Sequence, residues 1–212
     1  MIQISRVRNI TCLKEEGWIV IHKGTMKNKI IKAPNDILRK KVDDTTLIDD
    51  KYRVVAEYML QTLQQYNAAG LAANQVGYDM PMIAIRIPEN KDQVNEILFI
   101  INPQIVEQKG ELSFREKCLS LPGITCLTTR SREVRIKGVD LHGHIIAKRL
   151  RGTAAVIAQH EIDHLEGVLM TDHGTIVERK KVYNEKERKS RDANNNPRGK
   201  SVSKSDRDVT LH

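Results

Sequence analysis

Between residues 50 and 68 apolar side chains recur at intervals of three and four, at Tyr52, Val55, Met59, Leu63 and Tyr66. That spacing predicts an amphipathic helix, with Asp49 or Asp50 as its N-cap and one face packed on a sheet. Before it, Pro34 and residues 36–39 predict a loop or short turn. Beyond it the period changes. Residues 82–87 and 98–101 are nearly continuous apolar runs and are predicted as strands, joined by a polar loop over 88–95, the second ended by Asn102-Pro103. Residues 134–139 and 144–150 flank Asp140-Leu141-His142-Gly143, a hairpin signal. Ala154, Ala155, Val156, Ile157 and Ala158 then propagate a helix, with Thr153 as its predicted cap after Gly152 and Gly167 as its stop. Strands followed by a late helix, without strand–helix alternation, predict an α+β fold. Its antiparallel or mixed sheets pack around that central helix, with the long helix near the N-terminal part.

The two ends read differently from the middle. In residues 1–29, Ile10, Cys12 and Trp18-Ile19-Val20-Ile21 around Glu15-Glu16-Gly17 predict a small hairpin, while Met26 opens a stretch like an ordinary protein start. An N-terminal extension and an upstream start codon both fit. The formal net charge is +8, but residues 178–212 hold 11 Lys and Arg against 6 Asp and Glu, so most of the basicity belongs to this tail. Its few apolar residues and its Asn194-Asn195-Asn196-Pro197 breaker predict a helix to about Arg191 and disorder beyond it. The expected organisation is an extension (1–29), a catalytic domain (30–177) and a basic, largely disordered tail (178–212). No apolar run approaches a membrane span and no h-region opens the chain, which predicts a cytoplasmic protein without a membrane partner. Three cysteines without a CxxC pair fit a reducing compartment.

The chemistry concentrates in Gln159-His160-Glu161-Ile162-Asp163-His164-Leu165-Glu166-Gly167. On a helix, His160 and His164 stack on one face, one turn apart, where two imidazoles can share a cation and the carboxylate of Glu161 can move a proton. Two ligands do not make a site. The position where one zinc-protease pattern requires a third histidine holds Met170, and where another would supply a downstream glutamate the charged tail follows. A better donor lies upstream in Glu116-Lys117-Cys118-Leu119-Ser120-Leu121-Pro122-Gly123, since a thiolate beside two imidazoles makes an S/N/N site with room for water. Cys126, His142, His144 and His173 compete with Cys118, but none sits in a segment shaped for ligation. His142 and His144 flank the hairpin turn and are expected at the surface.

Three segments together resemble the peptide deformylase family. They are Ala68-Ala69-Gly70-Leu71-Ala72-Ala73-Asn74-Gln75, then Glu116-Lys117-Cys118-Leu119-Ser120, then Gln159 to Gly167. The likeness runs from about Ile30 through Asp172. It implies Cys118, His160 and His164 as ligands of one divalent ion, ferrous iron in the cell with zinc, nickel or cobalt as substitutes. It implies Glu161 as general acid and base, and the Gln75 amide and Leu119 N–H as stabilisers of the oxyanion. Gly70, Glu116 and Lys117 are expected along the substrate cleft, Glu116 also with an orienting role and Arg130 as its ion-pair partner. Asp163 is a further candidate for anchoring a ligand histidine. The implied reaction is removal of the formyl group from N-formylmethionyl nascent peptides, giving formate.

Two positions depart from the family pattern. Lys117 and Ala68 each stand where the pattern has glycine, and Lys117 adds a side chain beside the ligand cysteine. Two rival readings remain: a metalloprotease built on the two-histidine helix alone, and a catalytically weak relative with an RNA-associated role. The basic tail motivates the second and also a contact between an active enzyme and the ribosome.

Overall fold

The computed structural model describes residues 28–87 and 96–181. The predicted hairpin within 1–27, the loop at 88–95 and the predicted helix and disorder of the tail beyond 181 lie outside the described residues. In chain order the elements are α1 (Asp50–Tyr66), β1 (Gly70–Ala72), β2 (Met82–Ile87), β3 (Glu96–Cys118), β4 (Leu121–Val139), β5 (Ile145–Arg151), α2 (Thr153–Leu165), α3 (Met170–His173) and β6 (Thr175–Arg179). Short 3-10 turns occupy Asp36–Leu38 and Ala73–Val76. The strands form one antiparallel sheet in the order β1-β2-β3-β4-β5, and β6 pairs with the first part of β4.

β2 and the start of β3 are buried on both faces, which is why their sequences are apolar runs and not alternating ones. Ile83, Ile85, Leu98 and Ile100 join Ala154, Ala155, Ile157 and Ala158 of α2 in one core. The intervening residues Met82, Ala84 and Ile101 join Val55, Met59 and Leu63 of α1 in another. The sheet therefore separates the two helices. Asp49 caps α1 by accepting a hydrogen bond from the Lys51 N–H at 3.0 Å, and Asn67 ends it in the left-handed region.

Two local expectations are corrected. Asn102-Pro103 does not end a strand: β3 continues through it to Cys118, with a register shift between Ile101 and Gln104 and Asn102 at φ 48°. A bulge leaves a residue outside the ladder, so a proline without an N–H is tolerated there. Nor does Thr153 cap α2. Gly152 occupies the N-cap at φ 56° with no side-chain cap, its N–H donating to the Arg132 carbonyl at 2.8 Å as the chain turns out of β5.

The long β3 and β4 meet at a two-residue turn, Leu119-Ser120, with Cys118 opposite Leu121. This turn carries the thiol back against α2. The folded unit also reaches past 30–177 on both sides. Asn28 Nδ2 donates to Thr62 Oγ1 at 2.9 Å, and the Lys180 N–H donates to the Gly123 carbonyl at 2.7 Å. Met59 is fully buried between α1 and the sheet. Met59→Ala is therefore expected to lower unfolding free energy in urea by about 2–5 kcal/mol. Leu47→Ala, at a position 69% exposed, is expected to change it by less than about 0.5 kcal/mol.

Candidate metal centre

His160, Glu161 and His164 all lie on the buried part of α2, and Cys118 meets them from the end of β3. The two imidazole centroids are 4.9 Å apart at 80° to each other. The Cys118 sulfur is 3.2 Å from His164 Nε2, and one ligand atom from each of the three residues lies within 4.8 Å of the others. His160 Nδ1 bonds the Glu116 carboxylate at 2.6 Å, which leaves Nε2 as its ligand atom. That nitrogen is buried and has no hydrogen-bond partner among the described residues. A buried lone pair without a partner, beside a thiol and a second imidazole, fits a metal ion.

The electrostatics follow from burial. Desolvation, reinforced by His160 and Arg130, pushes His164 well below the usual imidazole value and keeps it neutral, as a ligand must be. Burial also depresses His160, but Cys118 and Glu116 outweigh it and hold that ring well above its usual value. Ion binding at His160 then displaces a proton and weakens as pH falls. Glu161 is pushed up to about 7, first by burial and then by Glu116 and Asp163, against the pull of His160. A carboxylate that changes protonation near neutrality is suited to accept and return a proton.

Glu116 is only 2% exposed, and it pairs with Arg130 as expected. Its oxygens accept from Thr128, from Arg130 Nε at 2.7 Å and Nη2 at 3.1 Å, and face His160 Nδ1. Burial raises its pKa, but His160 and Arg130 together hold it well below the usual carboxylate range. It lies behind His160 with both oxygens engaged. It fixes the ring's tautomer and tilt. Asp163, by contrast, does not make the expected contact with His160 or His164; it accepts from Arg130 Nη1 at 2.6 Å and pairs with His173 at 3.1 Å. The chain of contacts from His173 through Asp163, Arg130 and Glu116 to His160 crosses four segments, and beyond the expected Glu116–Arg130 pair no local sequence signal announces it.

Gln75 is buried on the turn after β1. Its Oε1 accepts from the Ala72 N–H at 2.8 Å, and Nε2 donates to Ser120 Oγ at 3.2 Å and faces the Cys118 sulfur at 3.5 Å. Leu119 lies in the turn beside the ligand. Gly70 packs so closely on α2 that a Cβ there would sit 2.4 Å from Glu161 Oε1 and 2.5 Å from Ile157 Cγ2. Its absent side chain makes room for the Glu161 carboxylate. Lys117 is not brought to the cluster. It alternates with Glu116 and Cys118 along β3 and shares its sheet face with Thr125, whose hydroxyl bonds Glu178 at 3.1 Å. Cys126 is buried, His142 and His144 are exposed at the β4–β5 turn, and none of the three joins the cluster.

The chain is similar in sequence and in fold to known proteins. A family model described as polypeptide deformylase matches residues 27–181. A peptide deformylase of Dehalococcoides mccartyi is 37% identical over 147 residues, 68% of this chain and 84% of that protein. One of Wolinella succinogenes is 36% identical over 164 residues, 76% and 96%. Among solved structures, a peptide deformylase from Legionella pneumophila superposes with a TM-score of 0.64 at 33% identity, covering 70% of this chain and 86% of that one. A Plasmodium falciparum peptide deformylase in complex with an inhibitor gives 0.62 at 36% identity, covering 69% and 89%.

The close approach at Gly70 has a direct consequence. Gly70→Ala is expected to displace the Glu161 carboxylate and cut turnover roughly ten- to hundredfold, while metal analysis still finds one ion per chain. Turnover within twofold of the parent would show that Glu161 needs no such room.

Proposed function

The chain belongs to the polypeptide deformylase family, and on that premise we propose how its own residues take the formyl group from the N-terminus of a nascent peptide. The observation that carries the reading is the convergence of Cys118, His160 and His164 beside a buried carboxylate poised near neutrality. Cys118, His160 and His164 would hold one divalent ion. When bound, that ion supplies Lewis-acid chemistry, making a water acidic enough to react near pH 7 and polarising the formyl carbonyl. The S/N/N donor set suits a borderline metal. Family likeness supports ferrous iron, with zinc, nickel or cobalt as substitutes.

Glu161 accepts the proton of the attacking water. Its buried, uncharged-leaning environment lets it hold that proton until the C–N bond breaks and then deliver it to the amine. Water's oxygen ends in formate and the proton on the peptide's new amino terminus, so the reaction balances. Negative charge grows on the formyl oxygen as the water adds. The Gln75 amide, tied to the Leu119-Ser120 turn, and the Leu119 N–H are donors for it, each worth roughly a hundredfold in rate. Gly70 lies along the same wall, where backbone of the substrate can approach. Lys117, on the other sheet face, sets charge at the outer rim and not at the reacting bond.

Among the described residues no helix is long and apolar enough to cross a membrane. The proposed setting is the cytoplasm, beside the ribosome, with the basic segment after β6 as the contact. The protease reading loses its motive, since the third donor next to the two histidines is Cys118 and not a third histidine or glutamate.

Glu161→Ala is expected to abolish formate release from a formyl-Met-Ala peptide, by about a thousandfold or more, with the metal retained; residual activity close to that of the parent would remove Glu161 from its role. Deleting residues after Lys181 is expected to abolish salt-sensitive co-sedimentation with ribosomes and spare formate release. Unchanged co-sedimentation would place the contact elsewhere.

A further inference from the structure

The turn at Ala73–Val76 carries a buried side chain that the reaction does not use. Asn74 is fully buried. Its Nδ2 donates to the backbone carbonyl of His164 at 2.5 Å and lies 3.5 Å from the Ile37 carbonyl. Its Oδ1 is buried with no hydrogen-bond partner among the described residues. Two carbonyl acceptors on one side fix which end of the amide faces α2. Burying an amide oxygen unpaired is unfavourable, so the side chain is tolerated there for its donor alone.

What that donor holds is the backbone of a metal-ligand residue. His164 stands in the last turn of α2, where its carbonyl also accepts from the Gly167 N–H at 3.2 Å, so the Asn74 amide is a second donor to it from another element. The next carbonyl, Leu165, is taken by the Val42 N–H at 2.8 Å. Gln75, the following residue of the same turn, reaches the opposite way, to Cys118 and Ser120. The turn itself is anchored, with the Gln75 carbonyl accepting from the Ile31 N–H at 2.8 Å and the Ala73 carbonyl from the Tyr78 N–H at 3.0 Å. Successive side chains of one anchored turn thus grip both elements that supply ligands.

We propose that Asn74 is a positioning residue for the metal centre, holding the ligand end of α2 at a fixed distance from Cys118 through the His164 carbonyl. The proposal rests on Cys118, His160 and His164 being the metal ligands. Asn74 touches neither substrate nor ion, so its effect reads in the geometry and retention of the ion and not in peptide affinity.

The test uses the full chain loaded with Co2+, whose visible absorption reports ligand geometry. N74L and N74A are expected to lose Co2+ to a chelator about ten- to hundredfold faster than the parent. Their d–d bands should shift or weaken, and KM for a formylated peptide should stay within twofold. Parental release rates and spectra in a folded variant would overturn the proposal, including the case where only the melting temperature of the metal-free protein falls, because that is the signature of a simple helix cap. If neither variant folds, NMR of the parent decides. The Asn74 side-chain amide resonances must move between the metal-free and Zn2+ forms, and identical positions overturn the proposal. C118A keeps the two claims apart: retention of Co2+ with a parental spectrum there would refute the ligand assignment itself.

Discussion

The site depends on one close approach between segments far apart in sequence: the end of β3 must lie against the last turn of α2, bringing the Cys118 sulfur to 3.2 Å from His164 Nε2. Nothing local enforces it. The two-residue turn at Leu119-Ser120 points the thiol inward, the apolar layer of Ile83, Ile85, Leu98 and Ile100 seats α2 on the sheet, and the Ala73–Val76 turn bridges the two. Core packing sets the coarse distance, and buried hydrogen bonds set the last ångström.

A second constraint is electrostatic. Arg130 is buried between Glu116 and Asp163, with side-chain exposures of 7%, 3% and 26%. Such a group adds little net stability over an apolar equivalent, but removing one partner leaves a charge stranded and costs about 3–5 kcal/mol. Its value here lies in orientation. The network holds Glu116 ionised against His160 Nδ1, so that Nε2 faces the cavity. The same burial that strains these charges raises Glu161 to about 7. One low-dielectric pocket thus sets both the ligand tautomer and the basicity of the proton carrier.

The sequence reveals the parts of this arrangement that repeat at short range. The spacing of His160 and His164, the apolar stripe of α1 and the apolar runs of β2 and early β3 all reflect local periodicity. Cys118 is visible as the better donor over Cys126 and three histidines from its segment and the donor chemistry, and the family likeness then implies it as a ligand. The pairing of Glu116 with Arg130 agrees with the orienting role expected of it. The Arg130–Asp163 and Asn74–His164 contacts span more than thirty residues each and depend on strand register. Register in turn depends on the bulge at Asn102-Pro103, which reads locally as a strand end. Tertiary pairing overrode the breaker there.

The central claim is that one thiolate and two imidazoles of this chain share a single divalent ion. X-ray absorption at the zinc edge of the zinc-loaded full chain tests it most directly. The account predicts one sulfur scatterer at about 2.3 Å and two imidazole nitrogens at about 2.0–2.1 Å. A first coordination sphere containing only nitrogen and oxygen would contradict it.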